Sequence, residues 1–172
     1  CCCAEYLPFA DGEFDLIVAH STLEFTRDQR RVLSECARSL NKSGLVYINT
    51  VNRYSLARDP YAYLWGVGFL PREWQARYVR WRREAAYEQI RLLSLGELGR
   101  MAMEHFGDRE FLLPDVDDGS LAGFSTLLRL QVGLYRLLKK LPGVKAILKW
   151  FGPGWDALLS KPTAGGPTLR DL

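Results

Sequence analysis

A histidine and a serine stand directly after an apolar run, in a position where side chains commonly do chemistry. His20 and Ser21 follow the run Phe14–Ala19. A histidine titrates near neutral pH, so His20 has the residue type of a general base. The alternative is that His20 is a hydrogen-bonded structural group, which is at least as common at the end of a strand. The sequence leaves both roles open.

A second polar cluster follows the next apolar run. Asn52, Arg53 and Tyr54 come directly after Leu45–Val51. Their amide, guanidinium and phenol groups have the types needed to orient an acceptor molecule. Asn52 has an equally good structural interpretation, because asparagine often caps a turn through its own side chain. This cluster is a candidate substrate site.

The elements that would position both clusters form a strand, a helix and a strand. The apolar, β-branched run Phe14–Ala19 is typical of a strand covered on both faces. Thr26 and Gln29 have the spacing of a capping box, and apolar residues recur at helical spacing from Val32 to Leu40. Asn41–Gly44 then predicts a left-handed cap that ends the helix before the strand Leu45–Val51. Such a unit has parallel strands, whose carboxyl ends lie at one edge of the sheet.

The loop before the first strand completes a recognisable pattern. The sequence AEYLPFADGEFDLIVAHSTLEF, followed by a helix and LNKSGLVYINTVNR, resembles the second half of class I S-adenosylmethionine methyltransferases, in the type 11-like group that includes quinone-biosynthesis C-methyltransferases. This resemblance covers roughly residues 3–53. It implies an α/β fold: the C-terminal part of a Rossmann-like, doubly wound sheet with helical insertions, keeping about four of seven strands and a terminal antiparallel hairpin.

The resemblance also implies a cofactor, S-adenosyl-L-methionine, and places its site. Cys3, Ala4 and Glu5 correspond to the adenine-side loop, and His20 and Ser21 to the strand end beside the methionine portion. Three positions depart from the family pattern. Cys3 stands where an acidic residue usually accepts from the adenine amino group, Phe25 where the turn usually ends in histidine, and Ser43 where the turn is usually Gly-Gly.

The family's glycine-rich loop and ribose-binding acid are expected before Cys1, because the chain begins without methionine and with the second half of the pattern. We therefore expect the 172 residues alone to bind the cofactor poorly. In the family's sheet order the strand Phe14–Ala19 pairs with the first strand. Its edge would be open here, and open apolar edges recruit other chains. Dimerisation or aggregation through this strand is the resulting prediction.

Residues 58–93 differ in composition from the segment before them. Aromatic residues alternate with arginines such as Arg77 and Arg80, and Trp65 among them is a candidate substrate contact. A substrate lid is the favoured interpretation. A nucleic-acid surface is the alternative, because aromatic and arginine side chains stack on bases; it is disfavoured because Glu73, Glu84 and Glu88 dilute the positive charge.

The remaining chain is predicted to return to the methyltransferase core, residues 1–57. Residues 94–118 supply a helix with a capping box at Ser94 and Glu97, a stop at Gly107 and the strand Glu110–Leu113. His105, late in that helix, is interpreted as structural. Residues 154–162 are the terminal-strand segment, with the strand itself predicted from Trp155 to Ser160, and 163–172 are predicted to form a flexible tail.

A basic amphipathic insertion, residues 119–153, separates those last two strands. It contains a predicted helix from Phe124 to Leu141 and a shorter one from Val144 to Trp150. Core packing is the commoner fate of such a helix. Interfacial attachment through 124–151 is the alternative, and it would favour a lipid-linked or quinone-like acceptor. The segment Leu121–Trp155 contains cations but no carboxylate: Arg129, Arg136, Lys139, Lys140, Lys145 and Lys149.

Composition sets the remaining limits. The net charge of +3 is too small to indicate nucleic-acid binding, and no apolar run approaches the length of a membrane span. The four cysteines form neither a disulfide framework nor a metal site, which favours a cytoplasmic protein, with Cys36 in the core. Methyl transfer to a small or lipid-linked acceptor is the leading hypothesis. An inert methyltransferase-like binding module and a membrane-associated binding protein are the alternatives.

Overall fold

The computed structural model describes residues 2–115, Gly119 and 126–162; within these the side chains of Leu127, Leu128, Gln131 and Pro142 are not described. Four strands and five α-helices alternate along this part of the chain. The strands are β1 (Phe14–His20), β2 (Leu40–Val51), β3 (Asp108–Leu112) and β4 (Gly154–Ser160). The helices are α1 (Gln29–Ser39), α2 (Arg72–Arg83), α3 (Leu95–Met103), α4 (Thr126–Lys139) and α5 (Pro142–Phe151), with short 3-10 turns at Leu23–Phe25 and Val67–Phe69. The predicted tail, 163–172, lies outside the described residues.

The four strands form one mixed sheet in the order β1-β2-β4-β3. β1 and β2 are parallel, whereas β4 runs antiparallel to both β2 and β3. The predicted α/β class, the parallel pair and the terminal antiparallel hairpin are all confirmed. Because β1 and β2 are parallel, His20 lies opposite Asn49, and the polar residues that follow both strands lie at one edge of the sheet.

The main core lies between the sheet and helices α1 and α3. Leu33, Leu98, Ile48 and Trp155 are almost fully buried in it, and the Trp155 indole N–H donates a 2.7 Å hydrogen bond to the Lys149 carbonyl. Cys36 is buried in the same cluster, as predicted, and burial raises the pKa of its thiol to about 11. Its thiol therefore stays protonated and packs as a small apolar group.

The two ends of α1 differ from the sequence prediction. No capping box forms between Thr26 and Gln29: Asp28 is the N-cap and accepts from the Arg31 amide at 3.0 Å. The Gln29 side chain instead donates to the Leu23 carbonyl. At the other end, α1 passes directly into β2, and residues 41–44 form an irregularity in the strand, since Phe14 lies opposite Leu40 but Leu16 opposite Leu45. The predicted left-handed cap there is wrong.

β1 is not covered on both faces within the described chain. Ile17 and Ala19 pack on the main core, but Leu16 and Val18 are 55% and 60% exposed. Helices α1 and α3 cover one face only, so the apolar pattern of β1 overestimates its burial. β1 is also an edge strand of the described sheet.

The capping box of α3 is confirmed, whereas its predicted end is not. Ser94 accepts from the Glu97 amide and the Glu97 carboxylate accepts from the Ser94 amide. The helix ends at Met103, before Gly107. Gly107 is needed for a different reason: a Cβ there would lie 2.6 Å from the Pro162 Cα, so no larger residue fits between β3 and the end of β4. No helix in the described part of the chain is long and apolar enough to cross a membrane.

Candidate functional site

The predicted catalytic and cofactor residues His20 and Ser21 lie at the carboxyl edge of the parallel strand pair. The His20 side chain is exposed, and its carbonyl accepts a 3.0 Å hydrogen bond from the Thr22 hydroxyl. Ser21 adopts a left-handed φ of 46° and donates its amide to the Asn49 carbonyl at 2.9 Å. This pairing extends the parallel ladder by one residue and leaves the His20 imidazole free to face solvent at the edge where ligands bind in open α/β sheets.

Asn52 holds the end of α5. Its side-chain amide donates to the carbonyls of Trp150 at 2.8 Å and Gly152 at 2.9 Å, and its oxygen accepts from the Tyr54 amide at 2.9 Å. The residue is only 1% exposed. Its polar atoms are thus engaged inside the protein, in an arrangement closer to the structural interpretation than to direct acceptor contact.

Arg53 holds the segment that leads into α2. Its guanidinium donates to the carbonyls of Gly68 at 2.9 Å and Leu70 at 3.3 Å, and pairs with Glu97 at 3.4 Å. It also stacks over the Tyr54 ring, 5.2 Å from the centroid. The contact with Gly68 is so close that a Cβ at that position would lie 1.6 Å from the Arg53 carbonyl oxygen. Adjacent residues therefore anchor two different helices to the end of β2.

The adenine-side residues lie in the loop before β1. Cys3 is exposed, and Ala4 packs partly against the main core. Glu5 bonds to the protein itself: one carboxylate oxygen accepts from the Arg27 amide at 2.9 Å and the Asp28 amide at 3.4 Å. Backbone hydrogen bonds, its own amide first, lower the pKa of Glu5. One oxygen of the Glu5 carboxylate therefore accepts from the backbone at the start of α1.

Glu24 is a buried acid that the sequence analysis missed as a site residue. It lies in the turn after β1 and is fully buried. Its carboxylate accepts from the Tyr61 hydroxyl at 2.6 Å and the Thr50 hydroxyl at 3.2 Å, and its carbonyl accepts from the Arg91 amide at 2.8 Å. Glu24 thus joins the ends of β1 and β2 to Tyr61 and Arg91 of the segment 58–93. The only sequence signal was an acid between two apolar residues just after a strand end.

Two tyrosines of the segment 58–93 are paired with acids. Burial, reinforced by Glu24, raises the pKa of Tyr61 far above its ordinary value; burial and Asp59 do the same for Tyr87, whose hydroxyl donates to Asp59. Phe25 is half exposed, and its ring meets the Tyr61 ring edge-on at 5.2 Å. Both phenols stay neutral donors over the physiological pH range.

Residues 58–93 have a small core of their own, built around Ala62, Val67, Val79 and Tyr87. Trp65, the predicted substrate contact, lies outside it: the side chain is 64% exposed and stacks against Arg58 at 4.7 Å. Between this core and α1 is a cavity of about 370 Å³, large enough for a small molecule. Polar side chains line much of it, among them Gln29, Arg72, Gln75 and Arg91.

Part of the chain is similar in sequence to known methyltransferases. A family model described as a methyltransferase domain matches residues 1–48. A probable S-adenosylmethionine-dependent methyltransferase of Mycobacterium tuberculosis is 42% identical over 55 residues, which are 31% of this chain and 20% of the relative. An uncharacterized protein of Methanocaldococcus jannaschii is 33% identical over 57 residues, 33% of this chain and 28% of that protein. The matches therefore span less than a third of these relatives' lengths.

Solved structures share the fold over most of the chain. An S-adenosylmethionine-dependent methyltransferase of Thermotoga maritima, described as a possible histamine N-methyltransferase, aligns with a TM-score of 0.53 and 20% identity, covering 92% of this chain and 61% of that one. Phosphoethanolamine N-methyltransferase 2 of Haemonchus contortus aligns with a TM-score of 0.50 and 19% identity, covering 94% and 37%. Residues 1–48 match the methyltransferase domain family, and the described chain has the fold of the class I S-adenosylmethionine-dependent methyltransferases.

Proposed function

We propose that this chain forms the acceptor side of an active site for S-adenosylmethionine-dependent methyl transfer. The observation that carries the proposal is the convergence of three segments at one edge of the sheet: the end of β1 with His20, the end of β2 with Asn52, and a lid tied to both strands through Glu24. In open α/β sheets this edge is where ligands bind.

The reaction forms a bond between the acceptor nucleophile and the methyl carbon and breaks the bond from that carbon to the sulfonium sulfur. S-adenosylhomocysteine leaves, and a protic acceptor gives up a proton. His20 is the proposed base, because its imidazole is exposed at the strand end, and Ser21 the proposed neighbour of the methionine portion. Glu24, Tyr61 and Thr50 position the lid; the Glu24 carboxylate is too buried to meet a ligand in this arrangement.

The cofactor's adenine side is proposed to meet the loop that contains Cys3, Ala4 and Glu5. This loop supplies few polar groups, since the Glu5 carboxylate bonds to the start of α1. We therefore expect the 172 residues alone to bind S-adenosylmethionine more weakly than micromolar in calorimetry. Micromolar affinity would contradict this expectation.

The acceptor is proposed to be a small molecule that enters beneath the lid, with Arg53, Tyr54 and Trp65 near its path. We further propose that the acceptor is lipid-linked and that residues 124–151 contact the membrane surface. This proposal is supported by apolar side chains that α4 and α5 expose to solvent, namely Leu130, Leu134, Leu137, Ile147 and Trp150.

The test is methyl transfer by the protein expressed from its complete gene. Methyl-labelled S-adenosylmethionine is supplied with a panel of small and lipid-linked acceptors, and labelled product and S-adenosylhomocysteine are measured. Turnover with any acceptor supports the enzyme. Tight cofactor binding without turnover across the panel, or no binding at all, would instead favour an inert methyltransferase-like module.

A further inference from the structure

The lid helix α2 has one packed side and one open side. Val79 and Gln75 are buried on the packed side, and Val79 lies in the core of the lid. On the open side Trp74 and Trp81 are 62% and 74% exposed. Together with Leu70, Arg77 and Tyr78 they line an open groove of about 530 Å³. Two exposed tryptophans on one helix form a large solvent-exposed apolar surface.

The charges on α2 are divided between its two sides. Arg72 pairs with Glu97, and Arg80 with Glu88. The one acid within the helix, Glu73, lines the other cavity, between the lid and α1. The groove itself is lined by a cation, Arg77, and by no carboxylate. The Arg82 guanidinium lies over the Trp81 ring at 5.4 Å, which adds a second cation to this side.

The segment before α2 and the end of α5 are bonded to adjacent residues that follow β2. Arg53 bonds to the carbonyls of Gly68 and Leu70 just before α2, while Asn52 bonds to those of Trp150 and Gly152 at the end of α5. α5 also combines exposed apolar side chains with cations and carries no acid, exposing Ile147, Trp150 and Phe151 beside Lys145 and Lys149.

We propose that the open side of α2 is a docking surface for an anionic lipid bilayer, with Trp74, Tyr78 and Trp81 at the level of the headgroups and Arg77 on their phosphates. Tryptophan and tyrosine favour the interface because each joins an apolar ring to a polar group. Arginine forms charge-assisted bonds with phosphate. The bilayer would lie against the lid and leave the carboxyl edge of β1 and β2 close to the membrane.

A lipid surface fits these residues better than a nucleic acid does. The groove includes an aliphatic side chain, Leu70, and α5 adds Ile147, for which a phosphate backbone offers no apolar partner. Glu73, Glu84 and Glu88 also reduce the long-range positive field of the lid, whereas interfacial binding depends mainly on local apolar area and a few cations.

This inference deepens the proposed membrane contact of residues 124–151 by adding the lid, and it rests in part on that proposal. It does not depend on methyl transfer. Vesicle binding and turnover are separate measurements, so a protein that docks without catalysis, or catalyses without docking, identifies which proposal fails.

The experiment measures binding of the protein to vesicles of phosphatidylcholine with and without phosphatidylglycerol, by co-sedimentation and by the blue shift of tryptophan emission. Binding should require phosphatidylglycerol and weaken with salt. Trp74→Ala with Trp81→Ala should lower the partition coefficient about tenfold or more, and Arg77→Gln about fivefold. The matched control is Arg100→Gln with Met103→Ala, which removes an exposed arginine and an exposed apolar side chain from α3.

Trp81→Phe keeps most of the apolar area and should retain binding, which separates loss of contact from loss of folding. Unchanged partitioning in the Trp74/Trp81 double variant would overturn the proposal, as would an equal loss in the α3 control. Binding to a single-stranded RNA oligonucleotide that these variants abolish, with vesicle binding unaffected, would assign the surface to nucleic acid instead.

Discussion

The Tyr61 hydroxyl donates a 2.6 Å hydrogen bond to the Glu24 carboxylate, which is fully buried between the strand ends and the lid. The bond joins two residues that are 37 positions apart in sequence.

Tyr61→Phe should destabilise the protein by about 1–3 kcal/mol, because it leaves a buried carboxylate with one donor fewer while keeping the ring. Urea unfolding at neutral pH measures the effect. Tyr63→Phe is the matched control, since the Tyr63 side chain belongs to the same loop and is 67% exposed. Equal stability of both variants would show that the Glu24 contact contributes nothing.

His20→Gln should lower methyl-transfer turnover about a hundredfold if the imidazole is the base, because a general base typically contributes at least that factor. Binding of S-adenosylmethionine should change far less. His105→Gln replaces the other histidine of the chain, which lies after the end of α3 and not within it as the sequence predicts, and should leave turnover nearly unchanged. Near-normal turnover of His20→Gln would end the catalytic assignment.

Asn52→Ala should lower the free energy of unfolding by about 2 kcal/mol or more, because the carbonyls of Trp150 and Gly152 lose their donors in a buried place. Asn52→Asp should be worse, since it sets a negative charge against both carbonyls. Denaturation curves separate this role from acceptor binding: a large loss of turnover with unchanged stability would restore Asn52 to the substrate site.

The stability of the protein should fall as the pH drops through the acidic range. Hydrogen bonds from Arg38, followed by the Leu7 amide, hold the pKa of Glu35 below its ordinary value of 4.5. A lowered folded pKa stabilises the protein above the unfolded pKa, and that stabilisation is lost as the pH falls through the folded value. Glu35→Gln should therefore flatten the stability profile below pH 4.5, while the profile above that pH keeps its shape. An unchanged acid limb would contradict this.

Val18→Lys should reduce self-association, because Val18 and Leu16 form an exposed apolar face on an edge strand. Light scattering coupled to gel filtration should find dimers or larger species for the unmodified 172-residue chain and more monomer for the variant. A monodisperse monomer without the substitution would show that β1 recruits no partner.

Local patterns in the sequence predicted the elements well where the pattern and the packing agree. The Ser94 capping box, the terminal hairpin and the end of β2 at Val51 lie where their residues indicate, although β2 begins at Leu40 and not at the predicted Leu45. The burial of β1 was overestimated from the sequence. A continuous apolar run indicates that a strand can be buried on both faces, whereas the burial of each face depends on which elements cover it. Thr26 and Gln29 have capping-box spacing, yet tertiary contacts of Gln29 shift the helix start by placing Asp28 at the N-cap.

The candidate site was harder to predict than the fold. The parallel pairing of β1 and β2 was enough to predict that His20 and Ser21 lie at the same edge of the sheet as Asn52, which follows β2. Burial of Glu24 depends on Tyr61 and Thr50, which are distant in sequence, and no local pattern encodes that meeting. The same holds for Asn52, whose partners lie 98 and 100 residues away.

The close approach of Gly68 to the Arg53 carbonyl limits how the lid can be redesigned. Any side chain at position 68 would collide with the backbone after β2, and a side chain at position 66 would have space around it but would be strained by the left-handed φ of 75°. Libraries aimed at new acceptor specificity should therefore keep Gly68 and Arg53 fixed, because no side chain fits at position 68. They should vary exposed positions of residues 58–93 instead.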